Sequence, residues 1–347
     1  MDNVTFTNSI RTLASAEYQN RIPAATKSNL LAVATMITDY PTAKNEFINV
    51  LTNQVVKTIF MDKLYSNPFK FFKKGSLPYG KSIEMVFVDL IKAKNWNERF
   101  NNETSDAGSL IGKEPVSNVK VKYISENFRH KYKITISDEQ LKGAFRSRDG
   151  LSALVNRLVV APLNSAEFDE YNIMKGLISQ INMAEASITG YGALSENEKA
   201  KQLTKVIKTY VGKMKFLSDN YNKGGVHTFS MPNELVILVT PETQAMLDVE
   251  LLASAFHMDK AEVEGRLVLI DEFQKKNASQ DKYEEDTDCL AIVMDVNAVQ
   301  FYESLNVSES FRNPEQLTTN MFFHRWGVAG ACEFVNALKI KKGAASS

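Results

Sequence analysis

Residues 67–94 of the chain read NPFKFFKKGSLPYGKSIEMVFVDLIKAK, and residues 118–136 read NVKVKYISENFRHKYKITI. Two prolines and two glycines mark the beginning of the first stretch as a turning segment. After it, polar and apolar residues nearly alternate, and they alternate again in the second stretch. Many of the apolar residues are β-branched or aromatic, which is typical of strands. Two long strands around one polar loop predict a β-hairpin.

This predicted hairpin is far longer than an ordinary strand pair. About 16 residues per strand at about 3.3 Å each give an arm of roughly 50 Å, whereas strands usually have about 5–6 residues. A two-stranded hairpin is marginally stable alone, because it has no second surface on which to bury an apolar face. We therefore expect the arm to lie on a partner surface, and a neighbouring subunit is the simplest candidate.

The formal net charge of the 347 residues is zero, yet the charges are strongly partitioned. Residues 57–148 carry 18 positive and 10 negative charges, a net charge of +8, and residues 240–303 carry 5 and 15, a net charge of −10. Such asymmetry is typical of interaction surfaces, although two solvated faces would give the same pattern. The chain as a whole has no excess positive charge with which to grip DNA.

Composition places the chain among folded soluble proteins. Hydrophobic residues make up 44% and charged residues 24%, which excludes a disordered chain. The two cysteines, Cys289 and Cys332, fit a reducing compartment better than a disulfide scaffold. The N-terminal residues lack the pattern of a signal peptide. No apolar run approaches the roughly 18 residues of a membrane span, so we expect no membrane partner.

The rest of the chain alternates helical and strand patterns, which predicts an α+β fold. Short helices are expected at residues 24–36 and 46–61 of a polar N-terminal arm, and a long helix at residues 151–183. Pro162 falls inside that long helix, so we expect either a kink there or a helix that begins near Asn164. Strands and helices then follow one another between residues 235 and 340.

Motifs that carry chemistry were not found. The chain has no phosphate-binding loop, no dinucleotide fingerprint and no nucleophile elbow. Its four histidines form no metal-binding pair, and His257, Asp259 and Glu262 are better explained as polar residues after a helix end. Cys332 lies in an apolar strand and is expected to be an inert core thiol. We predict no catalytic residue, no cofactor and no metal.

Four blocks resemble the major capsid (head) proteins of small, short-tailed bacteriophages of the podovirus type. The resemblance covers about residues 60–340, and the blocks occur in the family's order with compatible spacing. The residues that carry it are Asn67-Pro68, Lys70, Lys73-Lys74-Gly75, Pro78, Gly80 and Ile83-Glu84; Asn164-Ser165-Ala166-Glu167 and Asp169-Glu170-Tyr171; Leu247-Asp248-Val249, Leu252-Ala253, Ala255-Phe256, Met258, Val268, Ile270-Asp271 and Phe273; and Arg312-Asn313-Pro314, His324 and Trp326.

The resemblance implies the Johnson fold of tailed-phage shells. That fold has an N-terminal arm, an extended hairpin (the E-loop), a peripheral (P) domain with a long spine helix, and an axial (A) domain. The implied boundaries are 1–66 for the arm, 67–137 for the hairpin, 138–186 and 301–340 for the peripheral domain, 187–300 for the axial domain, and 341–347 for a C-terminal tail.

The resemblance also implies a structural function in the virion. The expected partners are other copies of the chain in hexamers and pentamers of an icosahedral head, a scaffolding protein and a portal protein. Double-stranded DNA would be contained rather than specifically bound, and assembly would take place in the cytoplasm of a bacterial host. Within the hairpin we predict charged contacts and apolar anchors between subunits from Lys70, Phe71, Phe72, Lys73, Lys74 and Lys81.

Two alternative functions remain open: one keeps the fold of a shell protein, and the other belongs to a different class of protein. The first is the shell protein of a bacterial nanocompartment (encapsulin-like), which would share the fold. The second is a soluble enzyme with an acidic, metal-dependent site at residues 281–288, although a solvated loop explains that acidic cluster as well because it lacks the calcium-loop glycine pattern.

Overall fold

The computed structural model describes residues 3–51, 65–91, 119–146, 150, 160–247, 267–277 and 282–343. Within these ranges the α-helices are α1 Asn3–Leu13, α2 Ala16–Arg21, α3 Leu30–Asp39, α4 Pro41–Val50, α5 Asp138–Arg146, α6 Ala161–Gln180, α7 Glu196–Lys213 and α8 Pro241–Met246. The strands are β1 Lys73–Ser76, β2 Ile83–Val88, β3 Val119–Ile124, β4 Phe128–Ser137, β5 Ala184–Ile188, β6 Leu235–Val239, β7 Leu267–Leu269, β8 Gln274–Asn277, β9 Lys282–Glu285, β10 Cys289–Asp295, β11 Val299–Asn313, β12 Thr318–Ala331 and β13 Ala337–Lys342.

The N-terminal arm is a packed helical layer rather than loose helical pieces. Phe6, Ile10 and Phe47 are buried in one apolar cluster with Phe145 of α5 and Met321 of β12. The first predicted helix begins later than expected, because Asn29 closes a turn: its side chain accepts from the Thr26 backbone N–H and donates to the Ala24 carbonyl.

The second predicted helix begins earlier than expected. The sequence pattern predicted a start near residue 46, whereas α4 begins at Pro41. Proline fits the first turn of a helix because the backbone N–H that it lacks would have no intrahelical partner there. Residues 52–61 of that prediction lie outside the described residues.

A four-stranded sheet in the order β1-β11-β12-β4 forms one half of the subunit. Its centre is the antiparallel pair β11 and β12, which stays in register for almost the full length of both strands apart from a bulge between Glu303 and Leu305. Strand β1 adds to β11 in parallel, and β4 adds to β12 antiparallel. Alternate residues of β4 therefore face opposite sides of this sheet.

The predicted hairpin divides into two parts. Residues Ile83–Val88 pair with Val119–Ile124 in a two-stranded sheet, which we call the hairpin stem. The chain then turns at Asn127, whose side-chain amide donates to the Ala329 carbonyl and accepts from the Ala329 N–H. Strand β4 consequently pairs with β12 and not with the stem, so the described paired arm has six residues per strand rather than about 16. Residues 92–118, which include the predicted loop at 96–115, lie outside the described residues.

A five-stranded sheet in the order β5-β13-β10-β6-β7 forms the other half. Every residue of β6 and β10 is buried, as expected for central strands covered on both faces. One face is covered by α7, through Leu203, Ile207 and Val211. Helix α7 begins at a capping box in which Ser195 and Glu198 satisfy each other's backbone N–H groups.

Helix α6 corresponds to the expected spine helix and connects both sheets. Its Met174 and Ile178 lie in one cluster with Val236 of the five-stranded sheet and Phe301 of the four-stranded sheet. Pro162 occupies the first turn of α6 and so does not kink the described helix. At 20 residues, α6 is about 30 Å long at about 1.5 Å per residue; residues 151–159 of the predicted helix lie outside the described residues.

Candidate assembly surface

The aromatic residues at the base of the hairpin pack in the hydrophobic core of their own subunit. Phe69 and Phe72 are fully buried, and the Phe69 ring stacks on Tyr171 of α6 with 4.9 Å between ring centroids. The Asn67 side chain accepts from the Phe69 backbone N–H at 2.8 Å and so fixes the turn that aims these rings inward. Phe72 is therefore packed inside its own subunit, and its predicted use as an anchor between subunits stays a prediction. Phe71 is partly buried against Phe72, 4.1 Å away between ring centroids.

The four predicted lysines have different environments. Lys73 forms ion pairs with Glu170 and Glu303 of its own chain. Burial alone would lower the pKa of Lys73, but the hydrogen bonds and charges of these two carboxylates outweigh burial and hold that pKa above its ordinary value. Lys74 is half-buried, and burial lowers its pKa.

The other two lysines of the set, Lys70 and Lys81, are exposed. A contact between subunits needs an exposed, uncommitted charge, because a charge already paired in its own subunit gains little from a second partner. The predicted inter-subunit role of this set therefore stays a prediction, and it rests mainly on Lys70 and Lys81.

A buried ion network ties α6 to the four-stranded sheet. Glu170 of α6 is 4% exposed and accepts from Arg325 of β12 at 2.6 Å as well as from Lys73 of β1. Arg325 also contacts Glu167 at 3.2 Å. The sequence showed Glu167 and Glu170 only as acidic residues of a helix, because their partner lies more than 150 residues further along the chain.

The outer face of the hairpin stem is an exposed apolar surface. The strand register pairs Val86 with Val121 and Val88 with Val119. These four valines, which we call the valine face, are 43–57% exposed. Side chains of a strand alternate between its two faces, so Glu84 and Tyr123 share the outer face with the valines and the other residues of the stem turn toward the subunit. Contiguous exposed apolar side chains on a strand pair are typical of an interaction surface.

A second surface combines cations with aromatic rings on the outer side of the four-stranded sheet. The Arg129 guanidinium lies 4.6 Å from the centre of the Trp326 ring, and the Lys133 ammonium lies 5.8 Å from the centre of the Phe322 ring. Cations over aromatic faces are held in place by the ring quadrupole. Sequence reasoning missed this surface, although the alternation of Arg129, Lys131 and Lys133 could have indicated one basic strand face.

The groups weighed as catalytic or metal-binding candidates are inert where the structure describes them. Burial raises the pKa of Cys289 to about 12 and also raises that of Cys332, so neither thiol is an activated nucleophile. In the acidic stretch, Asp286 is buried and accepts from Lys339 at 2.7 Å. Three or more His, Cys, Asp or Glu side chains that could together hold a metal are not found among the described residues. His257, Asp259, Glu262 and Asp281 lie outside them.

None of the helices in the described ranges is both long and apolar enough to cross a membrane.

The overall fold is similar to that of chains in phage capsid structures. A chain in the capsid structure of Staphylococcus phage Andhra aligns with a TM-score of 0.61 at 14% identity, over 82% of this chain and 87% of that one. A chain in the capsid structure of cyanophage P-SCSP1u gives a TM-score of 0.53 at 12% identity, over 81% and 90%. The fold is therefore the Johnson fold of phage capsid proteins, an α+β architecture, as the sequence resemblance implied.

The particular family follows from the sequence. Residues 7–341 match the Phi29-like phage major capsid proteins, and the chain belongs to that family. The major capsid protein of Bacillus phage B103 is 29% identical over an alignment of 344 positions, which covers 97% of this chain and 72% of that protein. The major capsid protein of Streptococcus phage Cp-1 is 24% identical over an alignment of 353 positions, which covers 97% of this chain and 93% of that protein.

The function follows from that membership. The chain is a major capsid protein of phage heads: a structural component of the virion that assembles with copies of itself into a shell, in a family of structural proteins rather than enzymes. The alternatives of a nanocompartment shell and of a metal-dependent enzyme are not favoured.

Proposed function

We propose that the subunit assembles into hexamers and pentamers of an icosahedral head that encloses double-stranded DNA, and that the hairpin lies across a neighbouring subunit. The observation that carries this proposal is the valine face, an exposed apolar surface on a projecting strand pair. Rings form when one patch of a subunit contacts a different patch of the next and the rotation closes. Each subunit then buries far more than the roughly 1,600 Å² of a standard interface.

The proposed domain boundaries follow the division of the subunit into a four-stranded and a five-stranded sheet. The arm comprises residues 1–66, and the four-stranded sheet with α6 forms the peripheral domain. The five-stranded sheet with α7 forms the axial domain, where acidic surfaces meet around each ring. Because β1 and β4 belong to the four-stranded sheet, the hairpin proper is residues 77–127. Because β13 pairs with β5 and β10, the last strand belongs with the axial sheet.

The distribution of charge along the chain favours particular contacts between subunits. The net charge of +8 on residues 57–148 and of −10 on residues 240–303 favours contact between unlike regions of neighbouring subunits. The zero net charge of the whole chain favours a shell that contains DNA without gripping it. A scaffolding protein that guides curvature and a portal at one vertex complete the proposed set of partners.

Shell formation tests this function directly. We expect the chain, co-expressed with a scaffolding protein, to give closed particles by electron microscopy. The double substitution Val86→Lys/Val121→Lys should abolish particles, because it places charges in an interface that has to exclude water. The thermal unfolding temperature of the subunit should stay unchanged, because both side chains are already exposed.

Leu31→Lys is the matched control. Leu31 is exposed to a similar extent, 59%, but lies on α3, away from the stem. Particles from the control and none from the double variant support the proposal. Equal particle yields from both variants would remove the valine face from the assembly interface.

A further inference from the structure

The inner face of the hairpin stem rests on a small apolar cluster of its own. Met85 is buried with Val226, Cys332 and Phe334, and the Phe87 ring lies 4.9 Å from the Phe334 ring between centroids. In the described part of the chain this cluster buries fewer residues than those around α6 and the five-stranded sheet. Small clusters under a two-stranded sheet open at low cost compared with the main core.

Polar contacts close the stem over this cluster. The His227 imidazole donates from Nδ1 to the Asp89 carboxylate at 2.8 Å, and the His227 backbone N–H donates to the same oxygen at 3.3 Å. The Lys120 ammonium donates to the carbonyl oxygens of Gly224 and Gly225. Lys122 pairs with Glu333 at 3.2 Å. Two of the basic residues of the stem are therefore used within the subunit.

Residues 222–228, the loop that receives the contacts of Asp89 and Lys120, are held in shape by contacts within the loop itself. The Asn222 side chain bridges the loop by donating to the Val226 carbonyl at 2.7 Å and accepting from the Val226 N–H at 3.2 Å. Gly225 has a φ of +60°, a conformation that favours glycine. A Cβ at Gly224 would lie 2.5 Å from the Phe334 ring, so only glycine lets the loop approach so closely.

Both roots of the stem can act as pivots. On one side Gly80 has a φ of +78°, between β1 and the stem. On the other side residues 125 and 126 separate β3 from Asn127, which is fixed to Ala329 by two hydrogen bonds. Beyond these points β1 and β4 are held in the four-stranded sheet. Rotation at such short connections moves the stem as a unit and leaves the sheet in place.

We propose that the stem and loop 222–228 form a releasable latch, in which the Asp89–His227 and Lys120–carbonyl contacts hold the stem down and their release lets it swing away, exposing Cys332. The latch sets the angle at which the hairpin leaves the subunit. Its use in a shell rests on the proposed function, because hexamers and pentamers present neighbours at different angles. The device itself belongs to the single subunit and can be tested without any shell.

The charge of the latch is present throughout the neutral range. The hydrogen bond from His227, followed by that from the Leu90 backbone N–H, lowers the pKa of Asp89 to about 2. The Asp89 carboxylate is therefore ionised throughout the neutral range and accepts its hydrogen bonds from His227 as a charged group, which strengthens them.

The two cysteines allow a direct test on the full-length, unassembled subunit. In a Cys289→Ala background, Cys332 is the only thiol, and its rate of reaction with a maleimide under native conditions reports opening of the stem. We expect Asp89→Ala to raise that rate about fivefold to tenfold, as loss of one charge-assisted hydrogen bond would do. Lys120→Met should act in the same direction and serves if Asp89→Ala does not fold.

Glu84→Ala is the matched control on the same strand. Glu84 accepts from the Tyr123 hydroxyl at 2.8 Å on the outer face. Between the described residues it forms no hydrogen bond or ion pair with the loop, so the Cys332 rate should stay at the wild-type value. In a Cys332→Ala background, Cys289 reports opening of the five-stranded sheet, and Asp89→Ala should leave its rate unchanged. The latch proposal is wrong if both Asp89→Ala and Lys120→Met leave the maleimide reaction rate of Cys332 within about twofold of the rate in the Glu84→Ala control. It is also wrong if Asp89→Ala raises the reaction rate of Cys289 by the same factor. Neither outcome depends on whether shells form.

Discussion

Gly327, in the middle of β12, shows how tightly the four-stranded sheet is assembled around single residues. A Cβ at this position would overlap the backbone carbonyl of Tyr302 on β11 and would lie 2.5 and 2.7 Å from two carbons of the Phe128 ring on β4. The neighbouring strand cannot retreat without breaking its own ladder, and the Phe128 ring is itself packed on Phe301.

We therefore expect Gly327→Ala to lower the free energy of unfolding by roughly 2–3 kcal/mol, measured by urea denaturation of the subunit. Gly176→Ala is the opposite case. Gly176 lies inside α6 with open space around its missing Cβ, so alanine should raise stability by about 0.5–1 kcal/mol through helix propensity. Equal destabilisation by the two substitutions would contradict the packing described for Gly327.

Asp286 makes stability depend on pH in a defined direction. Burial works to raise the pKa of this carboxyl, but the hydrogen bond and charge of Lys339 outweigh burial and hold the pKa below its usual value. A carboxyl whose pKa is depressed on folding stabilises the native state above its unfolded pKa of about 3.9 and loses that contribution as the pH falls through the folded value.

Asp286→Asn should therefore flatten the pH dependence of unfolding free energy below about pH 4, and should destabilise the subunit at neutral pH by about 1–3 kcal/mol. Urea denaturation between acid and neutral pH measures both effects. Asp288→Asn, at an exposed position two residues away, should change neither. If the two variants gave the same pH profile, the Asp286–Lys339 pair would not be the source of the dependence.

At the level of secondary-structure elements, the ion network around Glu170 fixes the position of α6 on the four-stranded sheet. Glu170 is shared by Lys73 of β1 and Arg325 of β12, and both cations are largely buried. Removing one member of a buried network is far costlier than the network's net contribution, because the remaining charges keep their desolvation cost without a partner.

Glu170→Ala should lower the free energy of unfolding by about 3–5 kcal/mol. The triple variant Lys73→Met/Glu170→Met/Arg325→Met should recover part of that loss, because it removes the three most buried charges together and leaves only the more exposed Glu167 and Glu303 without their partners. Thermal or urea unfolding of the subunit measures both. If the triple variant were as unstable as the sum of its single substitutions, packing of these side chains, rather than their charge, would be the dominant contribution.

The same elements show which features could be predicted from the sequence. The strand character of residues 83–88 and 119–137 was visible from alternation, and the helical spacing of α6 was visible from its apolar residues. Alternation gives the face of each residue but not the partner strand. Strand β4 therefore read as the continuation of the hairpin, and only its distant partner β12 shows otherwise.

The candidate assembly surface could likewise be predicted from the sequence only in part. Exposed Lys70 and Lys81 could be chosen from the sequence, because basic side chains are usually exposed. The burial of Phe72 could not, because Phe71 and Phe72 are adjacent and identical in type, and only the turn fixed by Asn67 decides which ring faces inward. The four residues of the valine face alternate with less exposed ones, so the sequence contained the pattern of that face but not which side is free.

At the scale of the whole molecule, zero net charge conceals two oppositely charged regions. The structure shows that part of the basic region is neutralised within the subunit, by Lys73 with its two glutamates and by Lys122 with Glu333. Lys120 keeps its charge, but its ammonium is occupied by two backbone carbonyl oxygens of the loop. The charge available to neighbours is therefore smaller than the count of +8, and Lys70 and Lys81 are among its exposed members. Electrostatic complementarity chiefly affects association rates and register, whereas buried apolar area chiefly limits dissociation.

The charge-reversal variant Lys70→Glu/Lys81→Glu should therefore slow shell assembly by about tenfold at low ionic strength, measured by light scattering with a scaffolding protein present. The difference from wild type should shrink in about 1 M salt, where the Debye length falls to about 3 Å. Lys201→Glu/Lys205→Glu changes the net charge of the chain by the same amount at two exposed positions of α7. A slower rate in the hairpin variant alone assigns the effect to the position of the charges. Equal slowing in both would mean that only the net charge of the subunit matters, and that the basic hairpin has no particular acidic partner on its neighbour.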